Sequence, residues 1–331
     1  MRSFLKFFLL LSILLAAFAG AAVWWANSPI ALREATVDFR ITPKSTLRSA
    51  ATQMQEAGIG INADLLALLA RWQGVATGIK AGSYSVKQGI TPVELLTKLA
   101  RGDVSQGEAL LVEGWTFRQW RARLEQHPDL KHEIQGLSEA EIAARLGIDG
   151  GKIEGWLLPD TYLFDKQSSD LELLARAHRA MRKKLELAWN ERDANLPYKT
   201  PYEALIMASI VEKETGRSDD RAQVAAVFVN RLRKGMLLQT DPTVIYGLGE
   251  TFDGNLRKRD LQNDTPYNTY TRGGLPPTPI AMPGLASIQA AMHPAANDML
   301  YFVARGDGSS HFSRTLDEHN KAVSKYQKGG K

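Results

Sequence analysis

Residues Leu205–Thr215 read Leu-Ile-Met-Ala-Ser-Ile-Val-Glu-Lys-Glu-Thr, an apolar run that ends in two carboxylates. This pattern predicts a helix, and a helix advances about 100° per residue. Glu212 and Glu214 therefore point in nearly opposite directions and cannot serve one site together. Glu214 continues an apolar stripe that includes Ile210 and Val211, whereas Glu212 lies on a face with smaller and more polar side chains.

Glu214 is the better candidate for a general acid. A carboxyl group on the more apolar stripe is the more desolvated one, and desolvation raises its pKa because it disfavours the charged form. A raised pKa keeps the group protonated near neutral pH, as a general acid requires. The alternative is that both glutamates simply end the helix in solvent, so the rest of the sequence has to decide between the two.

The first residues carry a membrane signal. Arg2 and Lys6 precede an uncharged run, Phe7–Trp25, which as a helix would span about 28 Å, close to the thickness of the hydrocarbon core of a bilayer. The two cations predict a cytoplasmic N-terminus. A cleaved signal peptide is the alternative, because Ala17–Ala19 fits a cleavage site, but the apolar run continues past that site. Both interpretations export the rest of the chain.

Composition excludes several kinds of chemistry. The chain has 331 residues, 44% of them hydrophobic, and no cysteine, which rules out disulfides, cysteine metal ligands and thiol catalysis. The net charge of +5 gives a weak preference for anionic surfaces, and no basic and aromatic pattern predicts nucleic-acid binding. The six histidines lack metal-binding spacing and no phosphate or dinucleotide loop occurs, so we expect no metal and no cofactor.

Residues 37–102 predict a small α+β module. Strands at 37–42 and 79–86 enclose two helices, the second of them capped by Asn62, and Thr91–Glu94 opens a third helix with a capping box. The order strand–helix–helix–strand–helix is similar to the LysM-like carbohydrate-binding modules. The alternative is a spacer domain without a ligand.

Residues 103–331 predict a larger domain, in which 238–247 and 267–280 read as loops. These loops combine flat rings with uncharged hydrogen-bonding side chains, which suit the faces and the hydroxyl groups of sugars. The rings are Tyr246, Tyr267 and Tyr270, and Trp156 in the loop predicted at 154–162 adds a fourth. We take four residues as candidates to position the substrate or to support the acid, with loop packing as the alternative for each: Gln239, Asp241, Tyr246 and Asn268. For 241–243, a turn that caps a helix remains the alternative to a loop.

Six motifs carry a resemblance to a known family. They are Glu113-Gly114, Glu154-Gly155-Trp156, Ala208–Thr215, Val227–Leu232, Leu238–Gly247 and Tyr267–Pro277. They resemble the YceG-like family of bacterial endolytic murein transglycosylases, and the likeness covers essentially the whole chain. The resemblance implies that the catalytic acid is the second carboxylate of the Glu-Lys-Glu element, Glu214. Because the helix geometry keeps Glu212 from facing the same bond, we expect Glu212 to support the site, by tuning Glu214 or by holding a neighbouring loop.

The resemblance further implies an endolytic lytic transglycosylase. Such an enzyme cuts nascent peptidoglycan between N-acetylmuramic acid and N-acetylglucosamine, leaves 1,6-anhydromuramic ends and limits the length of glycan strands. One carboxyl group would act first as acid and then as base, whereas ordinary glycosidases use two. The alternatives are a hydrolytic muramidase and a non-catalytic, membrane-anchored scaffold that binds peptidoglycan.

We therefore expect an α+β protein with a single N-terminal transmembrane helix, a small LysM-like α+β module and a larger mixed α+β catalytic domain. The expected segments are a cytoplasmic N-terminus at 1–6, a transmembrane anchor at 7–25, a linker at 26–36, the LysM-like module at 37–102 and the transglycosylase domain at 103–331. The expected location is the bacterial inner membrane, with the catalytic domain in the periplasm. The expected partners are peptidoglycan strands, the lipid bilayer and peptidoglycan synthases of the penicillin-binding class, but not nucleic acid.

Overall fold

The computed structural model describes residues 2–328. The first helix, α1 (Arg2–Ala26), contains the segment Phe4–Ala26, which by length and composition is able to cross a membrane. This segment includes the anchor predicted at 7–25. The predicted cytoplasmic segment 1–6 begins with Met1, which lies outside the described residues, as do residues 329–331 at the end of the predicted catalytic domain.

The chain divides into two compact units. Unit 1 comprises the residues up to Glu108 together with 129–131 and 163–168. Unit 2 comprises 109–128, 132–162 and the chain from Ser169 onward. The first continuous part of unit 1 ends at Glu108, slightly later than the domain boundary that the sequence predicts after Gly102.

Unit 1 contains the predicted strand–helix–helix–strand–helix order. Its elements after α1 are β1 (Ala31–Leu32), β2 (Thr36–Ile41), α2 (Leu47–Glu56), β3 (Ile59–Gly60), α3 (Ala63–Trp72), β4 (Gly82–Lys87) and α4 (Pro92–Arg101). The strands β2 and β4 pair antiparallel, with Phe39 opposite Tyr84, and the two-residue strands β1 and β3 pair with each other. The second predicted strand starts at Gly82 rather than at Ile79, and the sequence did not indicate β1 or β3.

Local sequence explains the ends of these helices. Asn62 accepts hydrogen bonds from the first N–H groups of α3, and Thr91 and Glu94 form the predicted capping box at the start of α4. Each such cap contributes about 1 kcal/mol. Along β2 every second side chain is buried, so Phe39 and its neighbours on that face pack with the leucines of α4 in one core.

The remaining elements follow α4 along the chain. They are β5 (Gln106–Leu111), α5 (Phe117–Glu125), β6 (Leu130–Lys131), α6 (Glu139–Leu146), β7 (Asp160–Asp165), β8 (Ser168–Ser169), α7 (Asp170–Asn190), α8 (Pro201–Glu214), α9 (Ser218–Arg233), α10 (Asp241–Leu248), α11 (Lys258–Gln262), α12 (Leu285–Met292), β9 (Tyr301–Ala304), β10 (Ser310–Ser313) and α13 (Leu316–Val323). The strands pair two by two, β5 with β7, β6 with β8, and β9 with β10. The predicted α+β class is confirmed.

The helix α8 lies at the centre of unit 2. Its eight consecutive residues Ala204–Val211 are all buried, and α7, α9, α10 and α12 pack around it. A helix that is apolar on all sides belongs in a core. The face that we predicted to be more polar is buried as well. Its Ser209 hydroxyl is satisfied there, because it donates to the Ile206 carbonyl at 2.7 Å and accepts from the Ile280 N–H at 3.0 Å.

The prediction of a loop at 238–247 is wrong for most of these residues. Residues Asp241–Leu248 form the helix α10, with Pro242 in its first turn, where proline fits because its missing N–H has no partner there in any case. The alternative, a turn that caps a helix, is correct in placing a helix here, but residues 241–243 belong to its first turn and Thr240 precedes it without a capping hydrogen bond. The packing of α10 against α8 stabilises this helix in the folded protein.

Candidate active site

The last residue of α8 is the candidate acid, Glu214. The chain leaves the helix at Thr215, whose backbone is extended. The Glu214 side chain is half-buried and lines a cavity of about 360 Å³. The carboxyl group thus lies at the end of a buried helix and beside a cleft, and its role as the acid stays a prediction.

Polar and aromatic side chains together line the cavity. The polar ones are Glu214, Arg231, Gln239, Asp241 and Tyr270. The remaining ones are Phe228, Tyr301, Phe302, Leu316 and His319. A cavity lined by a few charged groups and several flat rings is suited to a polar ligand that also presents apolar faces.

Burial raises the pKa of the Glu214 carboxyl. Thr240 opposes this effect through a hydrogen bond, and the positive charge of Arg231 also lowers the pKa, whereas the negative charge of Asp241 raises it. The net effect is upward, so the group retains its proton to a higher pH than an exposed glutamate. This is the electrostatic state that a general acid requires.

Thr240 supports the carboxyl group directly. Its hydroxyl donates to Glu214 Oε1, and its side chain is 2% exposed. Thr240 is also the residue that precedes α10, yet its side chain makes no capping hydrogen bond to that helix. The hydroxyl therefore serves Glu214 and not the helix end.

Arg231 is a buried cation in the cavity wall. Its Nε donates to the Leu300 carbonyl at 2.7 Å and its Nη1 to the Leu238 carbonyl at 2.9 Å. Its guanidinium carbon lies 5.1 Å from the centre of the Tyr301 ring. These contacts fix a positive charge near Glu214, where it favours the ionised form of the acid.

Asp241 and Tyr270 form a second polar pair in the cavity. The Tyr270 hydroxyl donates to Asp241 Oδ1 at 2.5 Å. Burial and the negative charge of Asp241 raise the pKa of the Tyr270 hydroxyl, so it remains a donor. Asp241 is exposed, which keeps this second carboxylate in contact with solvent.

Gln239 holds an unusual backbone conformation beside the acid. Its φ is +51°, in the left-handed region that residues other than glycine rarely adopt. Its N–H donates to the Thr269 carbonyl at 3.1 Å, while its side chain is exposed and lines the cavity. Such strained residues concentrate at functional sites, so the geometry favours a role for Gln239 in binding.

The profile of the YceG-like family matches residues 39–325. The chain belongs to this family. A protein of Bacillus subtilis (strain 168) named endolytic murein transglycosylase is 33% identical to it over 309 residues, which cover 88% of this chain and 85% of the relative. A protein of Streptococcus pneumoniae (strain R6) with the same name is 27% identical over 324 residues, and there the match spans 88% of this chain but 58% of the relative.

A solved structure also resembles this member of the YceG-like family. The crystal structure of a YceG-like protein from Listeria monocytogenes superposes with a TM-score of 0.54 and 30% sequence identity. The superposition covers 86% of this chain and 98% of that chain.

Three of the predicted site residues in this YceG-like chain do not line the cavity, namely Glu212, Tyr246 and Asn268. Glu212 accepts hydrogen bonds from the Gly284 N–H at 3.0 Å and from the Ser287 hydroxyl at 2.7 Å, at the start of α12. The Tyr246 hydroxyl donates to the buried carboxyl group of Glu154 at 3.2 Å.

Asn268 is fully buried, and its amide donates to the carbonyls of Leu261 and Asn263 at 3.0 and 2.7 Å. It therefore stabilises a loop and does not line the cavity. The predicted sugar-facing rings of Trp156, Tyr246 and Tyr267 are likewise half-buried and pack against the core. Tyr270 alone among the four predicted rings lines the cavity.

The candidates chosen from the sequence did not include Arg231 or Thr240. Arg231 lies within Val227–Leu232, a run that the sequence shows to be apolar apart from Asn230 and Arg231. A charged residue in such a run is rarely buried without a partner, and this could have marked Arg231. Thr240 is one of the uncharged hydrogen-bonding side chains in the loop predicted at 238–247, but its contact with Glu214 was not foreseen because the two residues are 26 positions apart.

No metal site competes with this interpretation in the part of the chain that the structure describes. Within residues 2–328 no group of three or more histidine, aspartate or glutamate side chains is placed to hold a metal ion.

Proposed function

We propose that this protein is a lytic transglycosylase that cleaves the bond between N-acetylmuramic acid and N-acetylglucosamine in peptidoglycan strands. Two of its relatives carry the name endolytic murein transglycosylase. The observation that carries the proposal is the half-buried carboxyl group of Glu214, with a raised pKa, on the wall of a cavity that polar and aromatic side chains line.

In the first half of the reaction Glu214 is the acid. Its protonated carboxyl group donates the proton to the glycosidic oxygen, and the bond between that oxygen and C1 of the muramic residue breaks. The N-acetylglucosamine side leaves with a new hydroxyl group. Positive charge develops at C1 and the ring oxygen, as in other glycosidic cleavages.

In the second half Glu214 is the base. The carboxylate now accepts the proton of the C6 hydroxyl of the same muramic residue, and O6 bonds to C1. The product end is a 1,6-anhydro ring, no water is consumed, and Glu214 is protonated again. The cation Arg231 stabilises the carboxylate between the two steps, because its fixed positive charge lowers the pKa of Glu214.

A hydrolytic muramidase is the second candidate, and the position of Asp241 favours it. Asp241 lines the same cavity as Glu214 and is exposed, and two carboxyl groups with a water between them would cleave by hydrolysis. Water would then add to C1 in place of O6. The product end would be a reducing muramic residue, heavier than the anhydro form by one water.

Product analysis tests the proposal. Full-length protein in detergent is incubated with purified, uncrosslinked glycan strands, and the new ends are identified by liquid chromatography and mass spectrometry. We expect cuts in the interior of strands that create new anhydromuramic ends. With Glu214→Gln we expect no such ends. Reducing muramic ends would identify a muramidase, and binding without cleavage would identify a scaffold.

We further propose a location that matches this substrate. The segment Phe4–Ala26 anchors the chain in the inner membrane as a single pass, and residues 103–331 act as the catalytic domain in the periplasm. The antiparallel pair of β2 and β4 around α2 and α3 supports a LysM-like, glycan-binding role for residues 37–102. Cleavage of nascent strands, which limits their length, would place the enzyme beside the peptidoglycan synthases.

A further inference from the structure

Three buried threonines form a network behind the carboxyl group of Glu214, and one of them, Thr240, contacts it. Thr240, Thr243 and Thr269 are each 2% exposed or less. They come from the start of α10 and from the loop that contains Thr269, and their hydroxyl groups lie within one hydrogen-bonded network.

The hydroxyl groups of this network also contact the backbone of Thr240. The Thr243 hydroxyl donates to the Thr240 carbonyl at 2.8 Å and lies 2.9 Å from the Thr269 hydroxyl, which is itself 3.5 Å from the same carbonyl. The Thr269 oxygen in turn accepts the Thr240 N–H at 3.1 Å. The network thus holds the backbone of Thr240 at both its N–H and its carbonyl.

The proton of the Thr240 hydroxyl is therefore assigned to Glu214. Within residues 2–328 the Thr240 hydroxyl makes its only hydrogen bond to Glu214 Oε1. A residue in this position normally caps the helix that follows and contributes about 1 kcal/mol, but Thr240 makes no such bond to α10. The Thr240 side chain thus hydrogen-bonds to the acid instead of capping α10.

We infer that, in the reaction proposed above, Thr240 is the positioning residue that orients Glu214. A donor on Oε1 makes that oxygen the carbonyl oxygen of the protonated acid. The proton then resides on Oε2, the oxygen that is available to the glycosidic bond. After proton transfer the same hydroxyl stabilises the carboxylate, so it assists both halves of the reaction without touching the substrate.

Other groups also face the acid, and the test has to separate them from Thr240. The same cavity is lined by Asp241 on α10, Arg231 on α9, Tyr270 in the loop after α11, Tyr301 on β9 and His319 on α13. None of them is removed by a substitution at position 240. A change in the titration of Glu214 in such a variant therefore reports the lost hydrogen bond.

The test compares Thr240→Val, which keeps the shape and removes the donor, with Thr240→Ser, which keeps the donor. We expect Thr240→Val to lower kcat about tenfold, the effect of losing a hydrogen bond to a charged group, with KM unchanged. The alkaline limb of the pH–rate profile should move to higher pH, because the hydrogen bond lowers the pKa of Glu214. Thr240→Ser should restore both properties.

A second measurement does not depend on activity. The δ-carbon of Glu214 is titrated by NMR in glutamate-labelled full-length protein, and its signal is identified by its loss in Glu214→Gln. We expect a higher midpoint in Thr240→Val than in the wild type and in Thr240→Ser. Equal midpoints, or Thr240→Ser behaving as Thr240→Val, would overturn the inference, whereas an inactive wild type with shifted midpoints would overturn only the proposed reaction.

Discussion

Glu212 and Glu214 are separated by one residue, yet different parts of unit 2 bind their carboxylates. Glu212 is held by the Gly284 N–H and the Ser287 hydroxyl, whereas Glu214 is held by the Thr240 hydroxyl. The helical advance of about 200° between them accounts for this. The two acids can therefore be tested independently.

Removal of the acid should abolish cleavage. We expect Glu214→Gln to lower the rate of strand cleavage by about 100-fold or more, because a general acid contributes about that much. Glu212→Gln is the matched control, since its amide oxygen still accepts hydrogen bonds from α12. The rates are measured on uncrosslinked strands, and equal losses in the two variants would argue against Glu214 as the acid.

Removal of the other carboxylate should affect stability. Glu212→Ala leaves the Gly284 N–H and the fully buried Ser287 hydroxyl without their acceptor, which should cost about 2 kcal/mol of unfolding free energy. Urea denaturation of Glu212→Ala and Glu212→Gln measures this difference. Equal unfolding free energies in the two variants would show that these hydrogen bonds do not stabilise the start of α12.

Asp241 distinguishes the two reaction types. If Glu214 acts alone, Asp241→Asn should retain most of the cleavage and still yield anhydro ends. The alkaline limb of its pH–rate profile should move to lower pH, because the negative charge of Asp241 raises the pKa of Glu214. A loss as large as that of Glu214→Gln would instead identify a second catalytic carboxylate.

Glu154 should make stability depend on pH. Burial raises the pKa of its carboxyl from 4.5 to about 8. Between these values the folded state binds more protons than the unfolded state, so the free energy of unfolding falls as the pH rises from about 4.5 to about 8. Glu154→Gln, which is always neutral, should show a smaller fall.

Denaturation by urea at several pH values between about 5 and 8 tests this. Glu186→Gln, at an exposed glutamate of α7, is the control and should follow the wild type. If Glu154→Gln also follows the wild type, the carboxyl group of Glu154 is ionised in the folded protein at neutral pH.

Local signals in the sequence predicted much of unit 1 and the position of the acid. The capping box of Thr91 and Glu94 and the cap at Asn62 involve residues three positions apart or fewer, so the sequence alone identifies them. The apolar stripe of α8 located Glu214 for the same reason. These are interactions within one element.

The remaining site depends on contacts between distant elements. The amide of Asn268 is of a type that often binds ligands. In the structure it is buried and donates instead to carbonyls of its own loop. Residues 241–248 contain proline and glycine, which favour turns, yet packing against α8 stabilises a helix there. Neither outcome can be inferred from neighbours in the sequence.

The burial of α8 on every side also limits how this protein is controlled. A helix enclosed by four others cannot slide or rotate without disrupting the core, so Glu214 at its end, the proton donor of the proposed reaction, is a stationary part of the molecule. Regulation of cutting would then act on the entry and passage of the glycan, and inhibitors would be expected to compete for the cleft instead of displacing the acid.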